Sequence, residues 1–308
     1  YILKLKFIMK ILIAGGTSFI GQQLTRSFIK SGYEVHILSR NKTIKNKLTS
    51  NIHFWDPMFG PPPTKIVNDV DVVINLSGEP VLGLWTKKKK EKIFYSRQFS
   101  TRSIVQAIER ATIRPKFFIC ASAIGYYRNA GNTPLTENAP ANDTFLANTC
   151  ITWEKEAKKA EMFGTKVASI RIGMVLGQKS QILKILTPLF KLFLGGKIGK
   201  GHNWWSWIHE DDLINIFHYI LEKNLTGAIN GTSPQPTTQK IFIETLGKIL
   251  HRPNLFVIPS NIIKILIGDL SEEILYDKKV IPEKLIKSQF SFKFPSLELA
   301  LTDLIKNN

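Results

Sequence analysis

The sequence has few cysteines: only Cys120 and Cys150 occur among its 308 residues. Two thiols cannot form a disulfide framework, and neither lies in a Cys-x-x-Cys pair or a Cys/His cluster that would bind zinc. We therefore predict a cytoplasmic protein, in a reducing compartment, with no metal site.

Long apolar runs are also absent. The two most apolar stretches, Ile182–Leu194 and Leu255–Leu270, are each interrupted by lysine and proline. Neither reaches the roughly 20 apolar residues of a membrane span, so we expect no membrane partner. Residues 1–8 are too short and too charged for a signal peptide. Because Met9 directly precedes the first predicted strand, we expect the natural start there and an upstream extension before it.

Acidic residues are scarce: 24 stand against 42 basic ones, which gives a formal net charge of +18. Such an excess is found in proteins that bind nucleic acids or anionic membranes. Here the basic residues are spread along the chain, and the only dense run is Lys87–Lys90. No recognition helix or zinc-finger spacing accompanies that run, so we expect no nucleic-acid partner. The same positive field favours a phosphate-bearing substrate.

What the first 175 residues do contain is an alternation of short β-branched runs with longer helical patterns, typical of a doubly wound parallel sheet. The predicted strands are Lys10–Ala14, Glu34–Ser39, Ile52–Trp55, Val70–Leu76, Lys116–Ala121 and Lys166–Ile172. The predicted helices are Ile20–Lys30, Lys87–Arg110 and Phe145–Phe163. We expect an α/β fold in which residues 9–177 form a Rossmann-type domain.

The alternation ends after Gly177. The later predicted elements are helices at Gln181–Leu194, Thr237–Leu250 and Asn261–Leu270 and a short strand at Ile229–Gly231. We expect residues 178–210 and 233–305 to form a smaller C-terminal lobe on the substrate side, over the carboxyl edge of the sheet. Residues 211–232 are expected to return to the main domain.

A glycine-rich turn, residues 15–21, joins the first predicted strand to the first helix. Gly15 lets the chain turn sharply off the strand, and Gly21 lets the helix lie close to the sheet. The helix N-terminus offers free N–H groups and partial positive charge to a pyrophosphate. The sequence therefore predicts a dinucleotide site that includes Gly15, Thr17, Ser18, Phe19 and Ile20.

The end of the second strand indicates which dinucleotide binds. An NAD site usually carries Asp or Glu about 20 residues after the glycines. Here the strand ends in Ser39 and Arg40, with Lys42 and Lys45 beyond and no acid. Because arginine can hold a 2′-phosphate through two N–H groups, Ser39 and Arg40 predict NADP(H) in preference to NAD(H).

Six motifs along the chain carry a family resemblance. They are residues 14–21, 75–80, 122–127, 171–177, 205–212 and 280–282. Together they resemble the short-chain dehydrogenase/reductase superfamily of the extended, sugar-nucleotide-epimerase-like type. The resemblance is strongest to its atypical "epimerase family protein" branch, which ends in a small conserved C-terminal domain, and it covers nearly the whole chain from Met9.

The resemblance implies further cofactor contacts. The loop after the fourth strand would pass beside the cofactor ribose, the end of the fifth would face the nicotinamide, and the turn after the sixth would close over it. The residues implied are Leu76, Ser77, Gly78, Ala121, Ser122, Ala123, Gly173 and Val175. Ser18 stands where the family usually has a glycine, and it would cost about 1–2 kcal/mol if that position needed positive φ.

The proton-transfer pair of the superfamily is missing. Its reductases and epimerases use a Ser or Thr with a downstream Tyr-x-x-x-Lys. Ser122 matches the serine, but residues 146–154 contain neither tyrosine nor lysine. Tyr126, which follows Ser122 closely, is an alternative proton donor, so we take Ser122 and Tyr126 as candidate catalytic residues. Cys150, near the expected tyrosine position, is interpreted as packing.

Three further residues are candidates on the substrate side: Glu79, Tyr127 and Trp205. Glu79 can be a base or a substrate contact. Tyr126 and Tyr127 can instead form an aromatic wall of the cofactor pocket. The tryptophan cluster around Trp205 suits either a platform for a ring-shaped substrate or the hinge between the two lobes.

Two functions follow from these residues. The first is an NADP(H)-binding oxidoreductase or epimerase-like protein that acts on a small polar substrate, nucleotide-linked and phosphorylated ones included, as a monomer or homodimer. The second is a non-catalytic NADP-binding redox sensor or scaffold. Some relatives in this branch carry cell-division labels, and the missing Tyr/Lys pair fits such a role.

Overall fold

The structure, a computed structural model, describes residues 8–41 and 51–306. Its strands are β1 (Lys10–Ala14), β2 (Glu34–Ser39), β3 (Ile52–Phe54), β4 (Val72–Asn75), β5 (Phe117–Ala123), β6 (Lys166–Ile172), β7 (Met174–Leu176), β8 (Gly196–Ile198), β9 (Trp204–Trp205), β10 (Trp207–His209), β11 (Gly227–Gly231), β12 (Thr237–Thr238) and β13 (Phe256–Ile258). Its α-helices are α1 (Phe19–Lys30), α2 (Thr64–Asn68), α3 (Lys87–Arg110), α4 (Phe145–Lys158), α5 (Gln181–Lys191), α6 (Glu210–Lys223), α7 (Gln239–Leu250), α8 (Ser260–Ile267), α9 (Ser271–Leu275), α10 (Glu283–Lys287) and α11 (Leu297–Lys306).

A parallel sheet of seven of these strands organises the fold, in the order β11-β6-β5-β4-β1-β2-β3. The strand order reverses at β1, which pairs with β2 on one side and with β4 on the other. In an open α/β sheet, ligands bind outside the carboxyl ends of the strands at such a reversal. The expected Rossmann-type α/β fold is confirmed, and the expected site lies at this edge.

Helices cover both faces of the sheet because alternate β1 side chains point to opposite sides. On one face, Leu24 and Phe28 of α1 pack with Ile13 of β1 and with α6. On the other face, Leu12 of β1 packs with Ile104 of α3 and with α4. Full burial of each such side chain contributes about 1.5–3 kcal/mol, so the sheet is held firmly beneath the site.

The C-terminal lobe has a core of its own. Helices α5, α7 and α11 pack around buried side chains that include Phe190, Trp207, Phe242 and Leu301. None of the helices in the described part of the chain is long and apolar enough to cross a membrane.

Several segments of the C-terminal half pack with the main sheet. The strand β11 adds to the sheet beside β6, and α6 packs on the sheet's face. Leu285 of α10, assigned from the sequence to the smaller lobe, is also fully buried in the main core. The fully buried Asp212 on α6 accepts backbone hydrogen bonds from Lys293 and Phe294, both 2.8 Å long, and so ties the last segment to the domain.

Candidate cofactor and active site

The glycine turn after β1 is packed so closely that positions 15 and 21 have no room for a side chain. Gly15 has a φ of +80°, and a Cβ there would lie 2.9 Å from the carbonyl carbon of Leu76. A Cβ on Gly21 would lie 2.7 Å from the Cα of Gly16. Leu76 itself donates from its backbone N–H to the carbonyl of Ala14, 2.8 Å away. The turn and the loop after β4 therefore meet at the edge of the sheet, as the sequence predicts.

Ser18 fits the turn without strain. Its φ of −71° and ψ of 170° are extended, so the cost considered for positive φ does not arise. Its side chain caps α1 by accepting a hydrogen bond from the Gly21 N–H at 3.1 Å. The N–H groups of Phe19 and Ile20 belong to the first helical turn, which has no intrahelical acceptor. They are available to an anion.

Arg40 lies exposed just beyond β2, and Ser39 lies buried at the end of that strand. The Ser39 hydroxyl accepts a hydrogen bond from the Asn41 N–H at 3.1 Å. Lys42 and Lys45, which strengthened the sequence prediction, lie outside the described residues.

Glu79 belongs to a cluster of charges near Arg40. Its carboxylate accepts a hydrogen bond from the Lys89 ammonium at 2.8 Å. That bond, together with the charges of Lys89, Lys92 and Arg40, outweighs partial burial and holds the pKa of Glu79 below its usual range. A carboxylate in this state is a weak base, so Glu79 is better suited to hold Lys89 in place than to remove a proton.

Ser122 lies near the carboxyl end of β5 and is 3% exposed. Its hydroxyl donates a hydrogen bond of 2.7 Å to Glu154 on α4. One turn earlier on the same helix, the Cys150 thiol donates to the carbonyl of Ala123, with 3.6 Å between sulfur and oxygen. Burial raises the pKa of Cys150 to about 11, so this thiol stays protonated at neutral pH.

Cys150 and Glu154 lie four residues apart on α4, which is the spacing of Tyr-x-x-x-Lys, and both contact the end of β5. A thiol and a carboxylate thus lie beside the strand end at this spacing, and neither is a tyrosine or a lysine.

Arg171 on β6 neutralises the negative charge of Glu154. It is 4% exposed, and its Nε and Nη2 donate to the two oxygens of Glu154, each at 2.8 Å. Its guanidinium carbon lies 3.4 Å from the centre of the Tyr126 ring. Burial alone would lower the pKa of Arg171, but the hydrogen bonds and charge of Glu154 outweigh it and raise that pKa.

The two tyrosines of the motif differ in position. Tyr126 is half-buried, and its hydroxyl has no hydrogen-bond partner within the described ranges. Tyr127 is fully buried, donates to Asn230 Oδ1 at 2.6 Å and accepts from Arg171 at 2.9 Å. Burial raises the pKa of Tyr127 to about 12. The hydroxyl of Tyr127 therefore faces the interior and not a cavity on the substrate side, where the sequence places it.

Trp205, for which the sequence leaves open a substrate platform or the hinge between the lobes, lies in the core of the C-terminal lobe instead. The residue is 9% exposed, its ring packs edge-on against Phe242, and its Nε1 donates to the Ile274 carbonyl at 3.1 Å.

The turn after β6 lies close to the glycine turn. A Cβ on Gly173 would lie 2.7 Å from the Ser206 carbonyl oxygen, and one on Gly177 would lie 2.7 Å from the Phe19 ring. Val175, between these glycines, is partly exposed on β7, which pairs with β10. The predicted turn thus approaches the N-terminus of α1.

Two adjoining cavities lie beside the strand ends. The larger, about 490 Å³, is lined by aromatic rings and lysines that include Trp85, Phe94 and Phe145. The smaller, about 240 Å³, shares Trp85 and Phe145 and extends to Leu146 and Glu273. Leu146 and Glu273 also approach Gly125, which follows Ser122 by three residues. Sequence patterns alone did not indicate these cavity residues.

The reversal of strand order, the closed glycine turn and the loops gathered at one edge define a class of protein. It is a Rossmann-type nicotinamide-dinucleotide-binding protein of the short-chain dehydrogenase/reductase kind. Residues 11–232 match the NAD dependent epimerase/dehydratase family, and residues 258–304 match a domain of unknown function, DUF1731. The chain therefore belongs to the NAD dependent epimerase/dehydratase family.

Named relatives support this membership. The chain is 35% identical over 299 residues to "Epimerase family protein YfhF" of Bacillus subtilis, covering 96% of this chain and 98% of that protein. Among solved structures, it resembles human epimerase family protein SDR39U1 (isoform 2) with NADPH, at 29% identity and a TM-score of 0.87, covering 97% of this chain and 100% of that one. It also resembles the nucleoside-diphosphate sugar epimerase from Corynebacterium glutamicum, at 28% identity and a TM-score of 0.78. This match covers 96% of this chain and 58% of that one.

Proposed function

We propose that the protein is an NADP(H)-dependent oxidoreductase or epimerase-like enzyme for a small polar substrate, nucleotide-linked and phosphorylated ones included. The observation that carries the cofactor choice is Arg40, exposed beyond β2 at the place where an NAD site has an acid. The human relative is described with NADPH, and it matches nearly the full length of this chain.

The residues at the sheet edge fit a dinucleotide. The closed turn at Gly15 and the unpaired N–H groups of Phe19 and Ile20 suit its phosphates. We assign Thr17, Ser18 and Ser39 to the same end, Arg40 to the 2′-phosphate, and the nicotinamide end to Leu76, Ser77, Gly78, Ala121, Ser122, Ala123, Gly173 and Val175. When bound, the cofactor would supply hydride exchange at a substrate carbon.

The role of Ser122 follows from its bond to Glu154. Because Glu154 holds the serine hydrogen, the serine oxygen is free to accept a hydrogen bond from a substrate hydroxyl. Ser122 thereby orients the substrate oxygen, and Arg171 fixes the carboxylate that holds Ser122. Tyr126, whose hydroxyl has no partner in the described part of the chain, is the candidate donor that protonates this oxygen.

Cofactor choice is tested by calorimetric titration of Arg40→Ala with NADPH and NADH. Loss of one charge-assisted contact at an exposed site should raise the Kd for NADPH about tenfold and leave that for NADH unchanged. Arg26→Ala, which removes an exposed arginine from α1, is the control. Equal affinities of wild type for both cofactors would refute the preference.

Catalysis is tested by mixing the protein with NADPH and a library of carbonyl compounds and sugar nucleotides. Ser122→Ala should lower turnover of an accepted substrate by about 10²–10⁴-fold while leaving the Kd for NADPH near the wild-type value. If no compound oxidises NADPH, and Ser122→Ala and Tyr126→Phe alter nothing, the enzymatic assignment fails.

A specific observation favours the second candidate, a non-catalytic NADP(H) sensor. Residues 146–154 contain neither tyrosine nor lysine, and burial raises the pKa of Cys150 to about 11, so its thiol stays protonated near neutral pH. This function predicts tight NADPH binding, negligible turnover and a partner whose affinity changes with the cofactor. Equal partner binding with and without NADPH would argue against it.

A further inference from the structure

Arg97 on α3 is held beneath the loop that follows β4. Its Nη1 donates to the carbonyl oxygen of Ile93, on the same helix, at 2.9 Å and to that of Glu79 at 3.1 Å. Both acceptors are neutral carbonyls, so these bonds orient the guanidinium without neutralising it.

Two neighbours lie against the guanidinium. The Trp153 ring lies with its centre 5.0 Å from the Arg97 guanidinium carbon, a cation–π contact. A Cβ on Gly78 would lie 3.0 Å from the same carbon and 3.2 Å from Nη2, so a side chain at position 78 would collide with the guanidinium. Arg97 itself remains partly exposed.

The edge of the guanidinium that carries Nε and Nη2 has no partner in the described residues. Among the described residues, no hydrogen bond or ion pair gives Nε or Nη2 of Arg97 an acceptor. The nearby Glu79 carboxylate is bound to Lys89 instead. In contrast, Arg171 and Arg102 pair with Glu154 and Glu156. Partial burial lowers the pKa of Arg97. A partly buried cation without a carboxylate is stabilised when a ligand supplies the negative charge.

The position of Arg97 connects the two ends of the proposed site. Gly78 follows Ser77, whose backbone nitrogen lies 3.1 Å from where a Gly15 Cβ would be. On the other side, Trp153 is the neighbour of Glu154, which binds Ser122. Gly78 therefore lies on the side of Arg97 that leads to the glycine turn, and Trp153 lies on the side that leads to the end of β5.

We propose that Arg97 is an anion-binding residue of this cleft, and that its Nε and Nη2 hold two oxygens of a phosphate or carboxylate group. The spacing of those two donors matches an oxyanion. The inference rests on the proposed function, which supplies two sources for the group: a phosphate of the cofactor, or an anionic group on the substrate.

The test uses NMR of the arginine Nε–Hε groups in the full chain, with the Arg97 resonance assigned by its loss in Arg97→Lys. NADPH is titrated first, and inorganic phosphate is then titrated into both the free and the NADPH-saturated protein. Calorimetry gives the Kd for NADPH of wild type, Arg97→Lys, Arg97→Gln and the control Arg110→Gln. Arg110 is exposed at the far end of α3, about 20 Å along the helix from Arg97.

If the anion belongs to the cofactor, NADPH shifts the Arg97 resonance and Arg97→Gln raises the Kd about 10–100-fold. The Kd of Arg97→Lys for NADPH then lies between those of wild type and Arg97→Gln, and the Kd of Arg110→Gln stays within about twofold of the wild-type value. If the anion belongs to the substrate, NADPH leaves the resonance in place and phosphate shifts it in the NADPH-saturated protein.

The proposal is overturned if neither NADPH nor phosphate moves the resonance and Arg97→Gln binds NADPH as wild type does. Its failure can be told apart from that of the proposed function. A wild-type chain that binds no NADPH refutes the cofactor assignment, whereas the phosphate titration of the free protein still decides the role of Arg97. Circular dichroism of Arg97→Lys and Arg97→Gln checks that both variants fold.

Discussion

The ion pair between Glu154 and Arg171 should be worth more to stability than a typical surface pair. Removal of one partner from a buried pair costs about 3–5 kcal/mol, because the other charge is left uncompensated. In Glu154→Gln, Arg171 keeps its bonds to the Tyr127 hydroxyl and the Glu137 carbonyl. The Glu154 side chain is also 17% exposed, so some water can reach the position. We therefore expect the lower end of the range, about 3 kcal/mol.

The assay is thermal unfolding followed by circular dichroism. At about 2.1 cal/mol/K per residue, a chain of 308 residues has an unfolding entropy of about 0.65 kcal/mol/K. A loss of 3 kcal/mol thus lowers Tm by about 4–6 °C. The control is Glu161→Gln, an exposed carboxylate just after α4, which should shift Tm by less than about 1 °C. If Glu154→Gln and Glu161→Gln have the same Tm, the ion pair between Glu154 and Arg171 does not stabilise the fold and the reasoning fails.

Other features give three further predictions. Gly15→Ala and Gly32→Ala both force alanine to a φ near +80°, but a Cβ at position 32 meets no atom within 4 Å. Gly32→Ala should lose about 1 kcal/mol of stability, and Gly15→Ala should lose more because its Cβ would also lie 2.9 Å from the Leu76 backbone. Only Gly15→Ala should weaken NADPH binding in a calorimetric titration, and equal binding by both variants would contradict a role of the glycine turn in binding. Burial lowers the pKa of His218 below 6.5, so the unfolded chain takes up its proton first and stability falls as the pH drops below 6.5. The urea midpoint of His218→Gln should fall less than that of wild type between about pH 7 and pH 5, and parallel curves would refute this. Burial raises the pKa of Cys120 to about 12 and that of Cys150 to about 11, so a thiol reagent at pH 8 should label neither until urea unfolds the chain; rapid labelling of native protein would show that one is accessible.

The sequence predicts the main sheet well because its signals are local. β1, β2, β6 and α3 have the predicted bounds, since each is a run of uniform pattern ended by a glycine, a polar residue or a cap. Short strands such as β8 and β13 carry no such pattern. Their three residues each pair with one another across about 60 positions of chain, and only the folded lobe brings them together.

The chemistry of the site was harder to foresee, because it depends on pairs distant in sequence. Ser122 and the Gly15 turn were recognisable as motifs, whereas Glu154 and Arg171 belong to different elements and acquire their role by contact. Two signals were nevertheless available. Arg171 is a charged residue in the buried part of a strand, which indicates a paired charge. Glu154 follows Cys150 by the four residues that separate the missing tyrosine and lysine.

The late arrival of β11 has a consequence for synthesis on the ribosome. β6 is complete at Ile172, but the strand that covers its open edge ends only at Gly231. At about 5–20 residues per second, that edge stays unpaired for roughly 3–12 s. Asp212 must wait longer, until Lys293 and Phe294 emerge from the exit tunnel. The growing chain therefore carries an unpaired sheet edge between the synthesis of β6 and that of β11, and an Asp212 without its backbone partners until residues 293 and 294 have followed.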